Sequence, residues 1–229
     1  MSRSRRILDG LLMVGGSGLS HPGDCCVYLL DAGDGAFVLV DAGLRAAGIE
    51  ENIASAGREP SRIAALVLTH CHIDHVGGAR RFADLGAEVV AHPLDADAIG
   101  SGDAERLALD WYGVDYIPVE PSRLVSDGDR LGYGDIVLNV AHAPGHTPGS
   151  IAPWADIDGK RVLFGQDVHG PFDEAWRSSI EDWRASMERL LALEADVLCE
   201  GHYGVIEGKG AVADFIGGFL ASHRPHWGT

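Results

Sequence analysis

The stretch Thr69-His70-Cys71-His72-Ile73-Asp74-His75 sets three imidazoles and a carboxylate within six residues, directly after the apolar run Ala64 to Leu68. An apolar run of that length reads as a buried strand, so a rigid element delivers a cluster of metal-ligand side chains. Three further apolar runs end the same way. Asp135 to Ala141 leads to His146, Arg161 to Phe164 leads to Asp167, and Asp196 to Cys199 leads to His202. Donors at strand ends, each beside a Gly-containing turn, converge on one edge of a sheet and are held by its rigid scaffold. Neutral imidazole and carboxylate suit zinc, iron or manganese, and the lack of thiolate in these loops favours an open catalytic site over a closed Cys-rich one. His70 and His72 alternate just past the strand, whereas Asp74 and His75 enter the next helix, so one loop can feed two metals. His146 completes one set, His202 completes the other, and Asp167 is placed to bridge.

The elements that position these donors are legible in outline. Arg5 and Arg6 precede Ile7 to Val14, which is expected to be an ordinary first strand rather than a signal peptide, because Asp9 and Gly10 interrupt it. Cys26 to Asp31 and Ala36 to Asp41 flank Ala32-Gly33-Asp34-Gly35, the Asp-Gly signal of a hairpin. Helical character runs from about Arg45 to Ala56 and from about His75 to Ala83, and a short strand is expected at Glu88 to Ala91. Residues 93–121 are helical and irregular, carry Trp111, Tyr112 and Tyr116, and form a candidate lid insertion. A turn at Ser126 to Asp129 precedes the strand Asp135 to Ala141. Ile151 to Ile157 and Arg161 to Phe164 form a hairpin through Asp158-Gly159, and helices are expected at Ser179 to Leu193 and Ala211 to Ser222.

At 229 residues the chain can bury a core without disulfides or a structural metal, so a metal would be functional. The formal net charge of −16 argues against nucleic acid and against an anionic membrane surface. No stretch approaches the length of a membrane span. Cys25, Cys26, Cys71 and Cys199 show no CxxC pattern, which fits a reducing cytoplasm. Self-association into a homo-oligomer is left open.

These motifs in combination resemble the metallo-β-lactamase superfamily, from Val40-Asp41-Ala42-Gly43 through the His70 to His75 loop, Pro144-Gly145-His146-Thr147-Pro148-Gly149 and Gly165-Gln166-Asp167 to Gly201-His202. The resemblance implies a single α/β (α+β) domain over 1–229, built as a four-layer αββα sandwich. It implies two divalent ions, zinc first with iron or manganese as alternatives: His70, His72 and His146 on one, Asp74, His75 and His202 on the other, Asp167 between them. The reaction implied is hydrolysis of a small ester, lactone or thioester by a metal-bridging hydroxide, with a small-molecule substrate as partner. Within the superfamily the two histidine loops are most similar to the glyoxalase II and lactonase groups. The acyl-homoserine lactonases carry a Tyr shortly after the bridging Asp, where this chain has Val168-His169-Gly170-Pro171-Phe172. Two alternatives share the fold: a one-iron persulfide dioxygenase, and a phosphodiesterase or nuclease, which the acidity disfavours.

Around the seven donors stand further candidates. His169 is expected to contact substrate or relay a proton, and Tyr203 to hydrogen-bond an oxyanion. Together with Asp74 and Asp167 they make up the candidate catalytic set. Asp41 is expected to satisfy backbone donors or orient a ligand histidine, Cys71 to pack away from the site, and His142 and His92 to support the site or serve the fold. His21 could line the site's mouth, Trp111, Tyr112, Tyr116 and Phe172 could form an apolar substrate wall or belong to the core, and His223 and His226 are expected at the surface.

Overall fold

The computed structural model describes residues 4–223, so His226 lies outside the described residues. Seven strands form the first sheet: β1 (Arg5–Leu8), β2 (Leu11–Gly15), β3 (Val27–Asp31), β4 (Phe37–Val40), β5 (Ile63–Val67), β6 (Glu88–Ala91) and β7 (Arg123–Leu124). They lie side by side in that order, antiparallel as far as β4 and parallel from β4 to β7. The second sheet has the order β13-β12-β11-β10-β9-β8, from β8 (Arg130–Tyr133), β9 (Ile136–His142), β10 (Ile151–Ile157), β11 (Lys160–Gln166), β12 (Val197–Glu200) and β13 (Gly204–Glu207). Helices α1 (Ala46–Ser55), α2 (Ile73–Val76), α3 (Ala79–Asp84), α4 (Pro93–Ser101) and α5 (Leu109–Tyr112) belong to the first half, α6 (Ile180–Leu191) and α7 (Lys209–Ser222) to the second.

Alternation along the strands makes the layers. In β3, Tyr28 and Leu30 enter the core between the sheets with Leu138, Val140 and Phe164, while Val27 and Leu29 join the outer core under α1 and α3. Both faces of the strand are therefore apolar, the pattern of a sheet covered on both sides. A third core joins the outer face of the second sheet to Trp183 and Met187 of α6 and Val212 and Ile216 of α7. The result is the αββα sandwich. Trp183 is fully buried and donates from Nε1 to the Val168 carbonyl at 2.9 Å, so α6 is fastened beside Asp167.

Several expectations are corrected. The first strand is a hairpin, β1 and β2, because Gly10 turns the chain at φ 77°. The helix expected over His75 to Ala83 is two helices, α2 and α3. A Cβ on Gly77 would lie 2.4 Å from the Leu44 carbonyl oxygen, and one on Gly78 would lie 2.3 Å from that of Ala42. The loop after β4 thus presses on the helix at the one place where side chains are missing. Strands β7, β8 and β13 add edges that their short or one-sided patterns did not announce.

Backbone bonds between the sheets close the edge where the donors gather. Ile151 N donates to the Thr69 carbonyl at 2.8 Å, and Cys26 N to that of Gly201 at 2.6 Å. The Tyr28 hydroxyl donates to the Glu200 carbonyl at 2.8 Å. Among the described residues no helix is long and apolar enough to cross a membrane.

These contacts predict opposite effects for two Gly→Ala changes. Gly78→Ala, forced against backbone, should destabilise by about 3 kcal/mol. Gly218→Ala in α7, where nothing lies within 4 Å, should stabilise by about 0.5–1 kcal/mol. Denaturant unfolding of the two variants checks both signs.

Candidate metal centre

Each donor is carried to the edge by a strand end or by the turn after it. β5 hands over to Thr69 and His70, His72 caps α2, and Asp74 and His75 sit within it. The loop from β9 to β10 carries His146, β11 leads into Asp167, and β12 into His202. Two non-glycine residues there have left-handed backbone, Asp41 at φ 63° and Gln166 at φ 46°. Such strain costs about 1–3 kcal/mol and persists where the surroundings over-determine it.

The donor atoms are close. Nε2 of His146 and Nδ1 of His72 are 2.9 Å apart, and His146 Nε2 is 3.5 Å from Asp167 Oδ2. Nε2 of His202 lies 3.1 Å from Asp167 Oδ2 and 3.2 Å from Asp74 Oδ2. Nε2 of His75 lies 3.2 Å from Asp167 Oδ1 and 3.7 Å from Asp74 Oδ2. Ligands on a tetrahedral ion with bonds of 2.0–2.1 Å stand about 3.3 Å apart, so these separations suit shared cations. The donors fall into two groups, His70, His72, His146 and Asp167, and Asp74, His75 and His202. The fit has a sharper sign. Buried polar atoms are nearly always satisfied, yet His70 Nε2, His75 Nε2, Asp74 Oδ2 and Asp167 Oδ1 have no hydrogen-bond partner.

Other ring nitrogens are tied down, which aims the free ones. His75 Nδ1 donates to Asp41 Oδ2 at 2.9 Å, and His146 Nδ1 to the Pro171 carbonyl at 2.8 Å. His70 Nδ1 is 3.2 Å from the Thr69 hydroxyl, which donates to Asp41 Oδ2 at 2.9 Å. Orienting bonds of this kind fix the tautomer of metal-binding imidazoles.

Three buried carboxylates that belong to neither group of donors brace the loops. Asp41 also accepts from Thr69 N at 2.8 Å. Asp95 accepts from Cys71 N, the Thr147 hydroxyl and Gly149 N at 3.1, 2.6 and 2.9 Å, joining the His70 loop to the His146 loop. Glu200 accepts from His169 Nδ1, His202 N and Tyr203 N at 2.7, 2.6 and 2.7 Å. Asp41 was expected from sequence; Asp95 and Glu200 were not. A carboxylate closing the apolar run Val197-Leu198-Cys199 was the available signal for Glu200.

Charge divides the cluster. Burial lowers the pKa of His70, His72 and His146 below the imidazole range, which makes them neutral donors. Burial opposes charge on His202 as well, but Asp167 and Asp74 outweigh it and push the value up to about 10. His75 is raised, with burial outweighed by the Cys25 sulfur and the Asp167, Asp41 and Asp74 carboxylates. Asp74 and Asp167 are held down against burial by His75 and His202. Without an ion, two acids and two bases thus neutralise each other, and a cation binding there displaces protons.

A cavity of about 140 Å³ opens over the donors His72, Asp74, His146, Asp167 and His202. Its other walls are Ala108, Trp111, Tyr112, His169, Pro171 and Trp176. Of the expected aromatic wall, Trp111 and Tyr112 reach the cavity. Tyr116 packs into the outer core beside α4, and Phe172 turns away onto Trp183 with ring centroids 5.3 Å apart. Trp176, unforeseen, takes its place, 4.4 Å from the His72 ring. Tyr203 is not brought to the cavity; the residue is 60% exposed and its ring packs on His169, Phe215 and Phe219. His21 does not line the mouth either, and accepts from Gly23 N in its own turn. Cys71 faces Arg106, away from the donors, and His92 and His142 stack at 4.0 Å behind the His146 loop. A second cavity of about 210 Å³ lies under the β1–β2 turn, where Arg6 and Arg58 are already paired with Asp9 and Asp31.

Residues 22–202 match the family described as the metallo-beta-lactamase superfamily. An uncharacterized protein of Mycobacterium leprae (strain TN) is 34% identical over 190 residues, which cover 77% of this chain and 85% of the relative. The acyl-coenzyme A thioesterase MBLAC2 of Gallus gallus is 33% identical over 199 residues, covering 77% of this chain and 68% of the relative. Among solved structures, a motif mutant of a metallo-beta-lactamase from Cronobacter sakazakii aligns with a TM-score of 0.81 at 24% identity, covering 96% of this chain and 94% of its own. At that identity the likeness speaks for the fold.

Two predictions follow from this geometry. A Cβ on Gly201 would stand 2.3 Å from Asp167 Oδ1 and 3.1 Å from His75 Cε1. Gly201→Ala should therefore weaken metal binding by about 10–100-fold in a chelator competition, and unchanged affinity would speak against Asp167 as a ligand. The second concerns acid. The folded-state values of His70, His72 and His146 lie below the ordinary 6.5, so the unfolded chain takes up more protons as the pH falls through that value. His75 and His202, raised in the folded state, already contribute fully there and do not offset the loss. Metal-free protein should lose stability between about pH 6.5 and 5 in urea titrations.

Proposed function

The chain belongs to the metallo-beta-lactamase superfamily, and we propose that it is a dinuclear metal-dependent hydrolase of small acyl compounds, thioesters first, then esters and lactones. The observation that carries this reading is the set of four partnerless donor atoms, on His70, Asp74, His75 and Asp167, at one buried edge. Zinc is the ion proposed first, since imidazole and carboxylate in open positions suit it.

His70, His72 and His146 would hold one ion and Asp74, His75 and His202 the other, with Asp167 between them. When bound, such ions supply a nucleophilic water near neutral pH and polarise an acyl carbonyl. The chain's own residues do the rest. Asp41 and the Pro171 carbonyl keep His75 and His146 turned inward. Trp111, Trp176 and Pro171 cover the cavity and exclude bulk water from one side. His169 has one nitrogen on Glu200, which leaves Nε2 for a substrate atom at the cavity wall. Tyr112 stands beside Asp74, where burial and that carboxylate push its phenol up, so it remains a neutral donor. Hydrolysis breaks the bond from the acyl carbon to sulfur or oxygen; the carbon keeps the water's oxygen, and the leaving group takes a proton.

The name of the Gallus gallus relative, an acyl-coenzyme A thioesterase, puts thioesters first. The second donor group speaks for two ions and against a one-iron oxidoreductase. A net charge of −16 speaks against a nuclease.

Asp74→Ala and Asp167→Ala should each reduce the metal content measured by elemental analysis and abolish turnover of a thioester, ester and lactone panel. If either variant keeps two ions and the full rate, the second-ion or bridging assignment is wrong.

A further inference from the structure

We infer that the cavity selects the acyl side of its substrate by an apolar wall of Trp111 and Trp176, and that it prefers a neutral substrate whose acyl group has about six carbons. This rests on the hydrolase reading and names its substrate class.

The wall is built into the donor loops. Trp176 is 3% exposed, and its ring lies 4.4 Å from His72 and 5.9 Å from His146. The turn that carries it is fixed by Asp173, which accepts from Ala175 N at 2.9 Å, and by Ser178, whose hydroxyl donates to the His146 carbonyl at 2.6 Å. Trp111 meets Trp176 edge to face at 4.6 Å, yet is 63% exposed. Its helix α5 follows Leu107, whose carbonyl accepts from Ile73 N at 2.9 Å, at the start of α2. Both indoles are thus registered to the metal loops, one buried and one left open. A large exposed aromatic ring held beside a polar site offers apolar surface to a ligand that covers it.

Charge narrows the class further. Among the described residues that line the cavity none is Lys or Arg. Arg106 is not available, being taken up by Asp97 and the Leu94 carbonyl. Arg177 is exposed next to Trp176 but does not line the cavity. Apart from bound ions, nothing there brings the fixed positive charge of the Arg or Lys that usually holds a substrate carboxylate or phosphate. The volume sets the scale: the space of about 140 Å³, open beside the exposed Trp111, is close to a cavity of about 150 Å³ known to take benzene, so an acyl group of about six carbons, with its carbonyl at the donors, reaches the indole wall.

The test uses metal-loaded protein and two thioester series, on coenzyme A and on neutral N-acetylcysteamine, each with acetyl, butanoyl and hexanoyl groups. We expect kcat/KM to rise at least about tenfold from acetyl to hexanoyl, with the neutral series cleaved at least as well as the coenzyme A series. In Trp111→Ala the hexanoyl-to-acetyl ratio should fall, and in Trp111→Phe it should be largely kept. A flat chain-length profile, an unchanged ratio in Trp111→Ala, or a preference for coenzyme A above about tenfold would each overturn the inference. Calorimetric binding of uncleaved acetamide and hexanamide separates it from the hydrolase reading. Tighter hexanamide binding that depends on Trp111, with no ester or thioester cleaved, overturns the hydrolase and supports the wall. Cleavage with no gain from acyl length does the reverse.

Discussion

The fold is organised around a concentration of unsatisfied polarity. Five imidazoles and two carboxylates meet at one edge of a double sheet, and several of their donor atoms are buried with no partner. An arrangement of that kind is costly unless a cation completes it. Much else follows from keeping the donors apart from each other and from water. Four separate strand ends deliver them, the backbone is strained at Asp41 and Gln166, and Gly201 lacks the side chain that would crowd Asp167.

What holds the donors in place is a second tier of charge. Asp41, Asp95 and Glu200 are buried and each accepts three hydrogen bonds, several from backbone N–H groups of the donor loops. Each therefore couples one loop to another, Asp95 joining the His70 and His146 loops and Glu200 joining the His169 and His202 turns. Buried carboxylates are stable in such surroundings because the donors replace water. The same bonds explain why loops without regular structure can present their side chains precisely enough for chemistry. The parts that this scaffold holds at its rim are α5 with Trp111 and the turn with Trp176, where the proposed selection of substrate would lie.

The sandwich and its seven-donor cluster were legible because each donor follows an apolar strand and stands beside a turn, a pattern local in sequence. The rest depended on contacts that no local pattern encodes. Asp95 and Glu200 gain their meaning from backbone groups contributed by distant segments. The helix after the first histidine loop splits because the carbonyls of Ala42 and Leu44 approach Gly78 and Gly77 from across the fold. β8 and β13 are edge strands with little periodicity to distinguish them, and in sequence alone the β1–β2 turn at Asp9-Gly10 looks no different from an interruption of one strand. The aromatic content near the site was visible, but which ring faces the cavity is decided by packing. Phe172 packs against Trp183 at the edge of the core, and Trp176 stands over His72 instead.

Anomalous X-ray scattering from crystals of the protein prepared without chelator tests the central claim most directly. The account predicts two peaks about 3.5–4 Å apart, one among His70, His72 and His146 and one among Asp74, His75 and His202, both touching Asp167. A single peak, or a metal bound through Cys25 and Asp41 in place of the second set, would contradict it.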